Sequence, residues 1–136
     1  MAGTSTPIFA QTPLFTVGQT ITTANTAKDG TGTVVLLFTA GANGSRVDSV
    51  KVRNTGTAVA TVVRIFINNG AVNTTASNNS LFVEQTIAAA TLSEVAALTD
   101  YLIPLNISLP ATYRVYATIG TTVATALQVS AFGGDY

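Results

Sequence analysis

The stretch that decides the fold is Arg46–Gly70, with the sequence RVDSVKVRNTGTAVATVVRIFINNG. Valine alternates with serine, lysine and arginine over Ser49–Arg53, which is the period of a strand with one buried face. Thr55-Gly56 then predicts a turn, and the apolar residues that follow predict a second strand over Thr57–Asn68. We therefore expect a pair of antiparallel strands, joined as a hairpin, in an all-β protein.

The same pattern of short strands and turns continues through the rest of the chain. Pro104 would place its strand at a sheet edge or bend it, and residues 88–99 predict an irregular crossover. No long helix is predicted, so we expect an antiparallel β-sandwich, and strand spacing leaves jelly-roll-like and immunoglobulin-like topologies both open. The further predicted strands are Thr33–Thr39, Leu81–Ile87, Asp100–Ile107, Tyr113–Ile119 and Thr122–Phe132.

Two of these predicted strands carry more specific expectations. Thr33–Thr39 is apolar on both faces, which indicates a strand covered on both sides. The segment Leu109–Tyr136 reads as a two-strand hairpin around the turn Gly120-Thr121, and Arg114 and Asp135 are candidates to pair across its strands or across subunits.

Composition excludes several function classes. The chain has 136 residues, enough for one domain. It is 47% hydrophobic with 24 threonines, so it is neither disordered nor helix-rich. Charged residues make up 9% of it, against about 25% in typical domains, and six cationic side chains balance six acidic ones. We therefore expect no nucleic-acid partner, and we expect other subunits to cover much of the surface.

The first 26 residues have no charged side chain. Residues 1–26 are threonine-rich and contain Pro7 and Pro13, which predicts an extended arm preceding a sandwich domain over residues 27–136. The arm lies either on its own sheet or on a neighbour. The sequence shows no signal-peptide pattern, and its longest strongly apolar run, Val34–Phe38, is too short to cross a membrane. We expect synthesis in a host cytoplasm and no membrane partner.

The residues needed for most catalytic and metal sites are missing from the sequence. There is no histidine and no cysteine, which excludes Ser-His-Asp and Cys-His catalysis and the usual zinc, iron and copper sites. Gly30-Thr31-Gly32 lacks the third glycine of a dinucleotide fingerprint. Among the acidic residues Glu84 lies in mid-strand, where we expect an ion pair with Lys51, Arg53 or Arg64. We expect a non-enzyme without a cofactor.

Carbohydrate binding is the other function class considered for this chain. Sugars stack on exposed aromatic rings, and the asparagine-rich loop Ala71–Ser80 is the expected exposed tip. The alternative is that the tyrosines pack at sheet rims with their hydroxyls in water. The candidate rings are Tyr101, Tyr113, Tyr116 and Tyr136.

Four stretches carry a resemblance to a known group of proteins: VDSVKVRNTGTAVATVVRIFINNG (Val47–Gly70), LFVEQTI (Leu81–Ile87), LPATYRVYATIG (Leu109–Gly120) and AFGGDY (Ala131–Tyr136). Together they resemble small β-sandwich virion proteins of tailed bacteriophages, most of all capsid decoration (cement) proteins. The similarity covers roughly residues 46–136, as read from turn and strand motifs.

The resemblance implies a structural protein without catalytic residues, which assembles as a homotrimer on the phage head and binds the major capsid protein. A tail, fibre or receptor- and glycan-binding module of the virion is the alternative. We expect the arm to contact the shell, and the strand Val34–Phe38 and the last residues to contact other subunits. The predicted contact residues are Ile8, Phe9, Pro13, Leu14 and Phe15 for the arm, and Val35, Leu37, Phe132 and Tyr136 for the subunit interface.

Overall fold

The computed structural model describes residues 9–125 and 127–136. Within them the chain forms eight strands and one short 3-10 helix, Ala76–Asn78. The strands are β1 Thr12–Ile21, β2 Val35–Thr39, β3 Ser45–Asn54, β4 Thr61–Asn68, β5 Asn79–Ile87, β6 Asp100–Leu109, β7 Arg114–Ile119 and β8 Leu127–Asp135.

The strands form two four-stranded antiparallel sheets. Sheet A has the order β1-β8-β3-β6 and sheet B has the order β2-β7-β4-β5. The chain changes sheet at each connection except β4 to β5. This order is that of an eight-stranded jelly roll and differs from the immunoglobulin order. The predicted β-sandwich is confirmed, and the strand order decides between the two topologies.

Two predicted hairpins are wrong. The turn at Thr55-Gly56 leads from β3 in sheet A to β4 in sheet B, and the turn at Gly120-Thr121 leads from β7 in sheet B to β8 in sheet A. In the structure β3 pairs with β6 and β8, and β4 pairs with β5 and β7. The period of two identifies a strand and its buried face, but that face is buried equally well whichever sheet the strand joins.

The core lies between the two inner faces. Val50 and Val52 of β3 are fully buried, as their alternation with charged residues predicts, and so are Val63 and Ile65 of β4. Large core side chains outside β3 and β4 include Leu37, Phe38, Ile87, Ile119 and Leu127.

The sequence predicts that strand β2 is covered on both sides, and this prediction is wrong. The pairing of β2 with β7 shifts register between Leu36 and Phe38. This irregularity places Leu37 and Phe38 together in the core and leaves Leu36 45% exposed. A bulge puts two consecutive residues on one side of a strand, which explains why alternation misassigned the faces.

The connection between β1 and β2, residues 22–34, spans the outer face of sheet B. The Asn25 N–H donates to the Ile119 carbonyl of β7 at 2.8 Å, and Gly30 lies directly against the Asn79 side chain of β5. Phe66 and Tyr116 are buried on this face although they lie outside the main core. The connection therefore covers part of sheet B on the side away from sheet A, around Phe66 and Tyr116.

Part of the predicted arm belongs to the sandwich. Thr12–Ile21 is β1, which pairs along most of its length with β8 at the edge of sheet A. Ile21 is buried and Leu14 packs against the core. An uncharged, threonine-rich segment suits an arm and an edge strand equally, so composition could not place this boundary.

The remaining sequence expectations concern β6 and the segment before it. Strand β6, which contains Pro104, lies at the edge of sheet A, as that proline predicts. Residues 88–99 have no regular secondary structure beyond one isolated bridge between Ala58 and Ala90, so the predicted irregular crossover is confirmed.

Candidate functional site

Seven charged residues of the described chain form surface ion pairs. Over residues 9–125 and 127–136, no three acidic, histidine or cysteine side chains gather into a group that could hold a metal ion. No helix in that part of the chain has the length and apolarity to cross a membrane. The pairs are Arg46–Asp48 at 3.2 Å, Lys51–Asp100 at 3.1 Å, Arg53–Asp100 at 2.8 Å and Arg64–Glu84 at 2.7 Å.

Glu84, the most interesting carboxylate by sequence, is held by a neighbouring strand. It lies directly opposite Arg64 in the β4–β5 register, and the Arg64 Nε donates to its Oε1. The Arg64 side chain is 13% exposed and that of Glu84 is 49% exposed. The predicted cross-strand ion pair is confirmed. The aliphatic part of the Arg64 side chain is packed, and its guanidinium group reaches the surface.

Asp135 does not pair with Arg114. Its carboxylate accepts hydrogen bonds from the Ser45 hydroxyl and from the Gly41 N–H, while Arg114 lies 3.5 Å from the Ala71 carbonyl. Because β7 and β8 belong to different sheets, the two side chains do not face each other. Asp135 instead fastens the end of β8 to the start of β3.

The carboxylate of Asp29 has a lowered pKa, and the cause is hydrogen bonding within a turn rather than a functional site. The Thr31 hydroxyl donates to it at 2.6 Å, and the Thr31 N–H donates to it at 3.0 Å. These hydrogen bonds favour the ionised form and lower the pKa of Asp29 below its ordinary value. Asp29 is exposed and Thr31 is half-buried, and the arrangement is that of an Asx-turn.

The four candidate tyrosines have separate surroundings. Tyr116 is buried. The Tyr101 hydroxyl accepts from the Ala88 N–H at 3.0 Å, and the Tyr136 hydroxyl shares a 2.6 Å hydrogen bond with Ser108. Tyr113 lines a concave surface. The structure therefore does not gather these rings into one sugar-binding platform.

Three predicted shell-contact residues, one predicted subunit-interface residue and the unpredicted Val17 lie at and around β1, on a region here called the β1 surface: Phe9, Pro13, Phe15, Phe132 and Val17. Phe9, Phe15 and Val17 are 73%, 58% and 71% exposed. Phe15 stacks on Phe132 of β8, with ring centroids 5.2 Å apart and planes 14° apart. Pro13 is exposed, and no residue in the first 27 is charged. The structure thus brings an arm residue and a residue of the last strand into one patch.

Other predicted contact residues are placed differently. Ile8 lies outside the described residues. Leu14 is half-buried against the core, and Leu37 is 1% exposed and part of the core. Val35 also packs against the core. The prediction that Leu37 forms a subunit interface is therefore wrong, since the register shift in β2 turns it inward.

A groove runs beside the β1 surface, between the edges of the two sheets. It has a volume of about 340 Å³, and its lining includes Phe15 and Leu36. The Thr16 hydroxyl donates to the Leu37 carbonyl and ties β1 to β2 at its floor. Leu36, which β2 exposes in place of Leu37, extends the apolar surface from sheet A toward sheet B.

A second concave region, here called the β5–β6 cleft, was not predicted. It has a volume of about 390 Å³ and lies between the edge strands on the other side of the sandwich. Its lining includes Phe82 of β5, Ser108 of β6 and Tyr113 before β7, together with Asn69 and Asn78 of the β4–β5 loop. No sequence motif signals it, because its residues come from separate segments that only the topology brings together.

Comparisons with known proteins identify no family. No family model matches the chain, and no curated protein matches it. A chain from a solved structure titled "Structure of infectious bursal disease virus Gx strain" aligns with 91% of this chain and 33% of its own length, at 14% identity and a TM-score of 0.42. The chain thus spans a third of that protein, and a likeness at this level carries no conclusion about function.

Proposed function

We propose that this chain is a structural virion protein that decorates a viral shell, as a cement protein of a tailed phage head that binds the major capsid protein. The proposal joins the sequence resemblance to one observation, the uncharged β1 surface with its exposed Phe9, Phe15 and Val17. Exposed apolar patches on otherwise polar surfaces mark interaction sites.

The chemistry of the β1 surface suits a protein partner. Each exposed phenylalanine would contribute about 1.5–3 kcal/mol on full burial. No charged side chain of β1 would have to be desolvated. As an edge strand, β1 also presents backbone groups to which a coat-protein strand could add by β-augmentation.

The proposed assembly is a homotrimer. Leu36 beside the groove replaces the buried Leu37 as the β2 contribution to the subunit interface. Phe132 and Tyr136 of the last stretch remain candidates for the same interface. Attachment at several points would convert modest individual contacts into firm binding through effective concentration. In this proposal the protein acts without catalysis, cofactor, nucleic acid or membrane.

The test uses shells of the virus that encodes the chain. The variant Phe9→Ser/Phe15→Ser removes two exposed rings from the β1 surface, and Leu102→Ser is the matched control, since Leu102 is 63% exposed at the far edge of sheet A. In co-sedimentation with empty shells, we expect the double variant to lose at least about tenfold in affinity and the control to bind as wild type.

Two outcomes would refute the proposal. One is equal shell binding by the double variant and the control. The other is binding of the purified wild-type protein to host cells but not to shells, which would favour a tail, fibre or receptor-binding module. Light scattering tests the trimer separately, since a monomeric mass across concentrations would exclude it.

A further inference from the structure

We infer that the β5–β6 cleft is a binding site for a neutral saccharide. This inference goes beyond the proposed attachment to a shell, because it concerns the opposite side of the sandwich. Strands β5 and β6 are the outer strands of sheets B and A, next to β4 and β3 respectively. Their edges bound the cleft, which opens away from the β1 surface.

The cleft combines aromatic rings with an apolar floor. Phe82 is 45% exposed, and Tyr113 lies across from β5 at the entrance to β7. Ile67 and Ile107 lie beneath them and pack against the core. A sugar ring has apolar C–H faces that pack on aromatic side chains, whose rings pair an apolar body with a polar rim. The two rings and the floor would hold such a face.

The polar groups of the cleft are amides and hydroxyls in fixed orientations. The Asn69 Nδ2 donates to the Asn78 Oδ1 at 3.2 Å, and the Asn78 Nδ2 donates to the Val72 carbonyl at 2.9 Å. Ser108 is fixed by the Tyr136 hydroxyl. An amide nitrogen carries two hydrogens and each bond uses one, so both amides retain a donor for a sugar hydroxyl. Fixed orientations reduce the ordering cost of binding.

Charge restricts the class of ligand. None of the described residues that line the cleft is charged, so an acidic sugar would lose hydration without gaining a cationic partner. The volume of about 390 Å³ lies at the small end of ligand sites. These features favour a short, uncharged, hydroxyl-rich ligand.

The backbone around the cleft is also unusual. The non-glycine residues with positive φ in the described chain are Asn106, at 52°, and Thr112, at 69°. They immediately precede Ile107 and Tyr113, both of which line the cleft. A left-handed backbone is rare for a β-branched residue and is enriched at ligand-binding positions. The fold therefore positions Tyr113 of the cleft next to a backbone conformation that β-branched residues seldom adopt.

The test is an amide NMR titration of isotope-labelled protein. The probes are methyl α-glucopyranoside, methyl α-galactopyranoside and N-acetylglucosamine, each to about 50 mM because single-site sugar affinities of the millimolar class are expected. N-acetylneuraminic acid is the anionic control. We expect saturable shifts for at least one neutral sugar around Phe82, Tyr113 and Asn78, and none for the acid.

Variants separate the cleft from the β1 surface. Phe82→Ala should weaken the titration by at least about tenfold, whereas Phe15→Ala, a matched exposed phenylalanine, should leave it unchanged. Phe82→Leu, which retains apolar bulk without a ring, replaces Phe82→Ala if that variant does not fold.

The inference is overturned if no neutral sugar shifts cleft resonances, if the acid binds equally, or if loss of the Phe82 ring changes nothing. Concentration-dependent shifts confined to the cleft resonances, without sugar, would assign the cleft to a second copy of the chain and would also overturn it. Shell binding by Phe82→Ala should stay at the wild-type level, so a failure here is distinct from a failure of the proposed function.

Discussion

Gly133→Ala should destabilise the protein strongly, because β8 approaches β3 too closely for any side chain at this position. A Cβ at Gly133 would lie 2.1 Å from the Arg46 carbonyl oxygen and 3.1 Å from the Val47 Cα, both backbone atoms. Gly133 pairs with Val47 on one side and with Leu14 on the other, so β8 cannot retreat without disturbing β1.

The expected loss is about 3–5 kcal/mol. Relief requires the strands to separate by more than about 1 Å, and overpacking of this kind costs roughly 1–3 kcal/mol. Each backbone hydrogen bond lost from the ladder adds about 1 kcal/mol. Domains of this size are stable by about 5–15 kcal/mol in total, so the variant should remain folded only marginally.

Urea unfolding followed by circular dichroism measures this loss, and Gly18→Ala is the matched control. A Cβ at Gly18, in the neighbouring strand of the same sheet, would meet side-chain atoms of Gln128 and Ser130 at 3.3–3.4 Å, and these can shift. With a slope of about 2 kcal/mol per molar urea, Gly133→Ala should lower the midpoint by about 1.5–2.5 M and Gly18→Ala should lower it far less. Equal midpoints for the two variants would refute the steric reasoning.

Three further predictions follow from local contacts. Thr112→Gly should raise the stability by about 0.5–1 kcal/mol in the same urea assay, since it relieves a left-handed β-branched residue that is exposed; a loss would contradict this. Arg64→Ala should destabilise more than Glu84→Ala, because the arginine also loses a packed stem; the reverse order would count against that packing. Asp29 should titrate by NMR below its ordinary range, because its folded pKa is lowered; any stability it contributes is present above the unfolded pKa and is lost as the pH falls through the folded pKa. Thr31→Val should raise the Asp29 midpoint, and an unchanged midpoint would exclude the hydroxyl as its main cause.

The sequence predicted strands well and their partners poorly. The alternation in Ser49–Arg53 and the turn residues around it located β3 and β4, and Pro104 located an edge. What alternation cannot specify is the sheet that a strand joins. In a jelly roll nearly every connection crosses between sheets, so two tight-turn signals that suggest hairpins lead instead across the sandwich.

The predictions of buried faces failed where strand pairing is irregular, and the prediction of the arm boundary failed where the composition is uniform. The register shift in β2 turned Leu37 inward and Leu36 outward, and no residue type in Val34–Phe38 announces it. Thr12–Ile21 has the composition of an arm and the position of an edge strand. The Arg64–Glu84 pair was predictable, because opposite charges in strands meet by a local rule. The β5–β6 cleft was not, since it depends on contacts between distant segments.

The closing stretch AFGGDY, which carries part of the resemblance, is explained by packing alone. Gly133 permits the close approach of β3, and Asp135 binds Ser45 at the start of that strand. Yet its ends reach both proposed surfaces, since Phe132 stacks on Phe15 and Tyr136 holds Ser108 in the β5–β6 cleft. Substitutions within the stretch would therefore disturb the proposed shell attachment, the proposed saccharide binding and the stability together. Phe15 and Phe82 lie outside it on opposite edges, which is why those two rings, rather than the motif, can separate the functions.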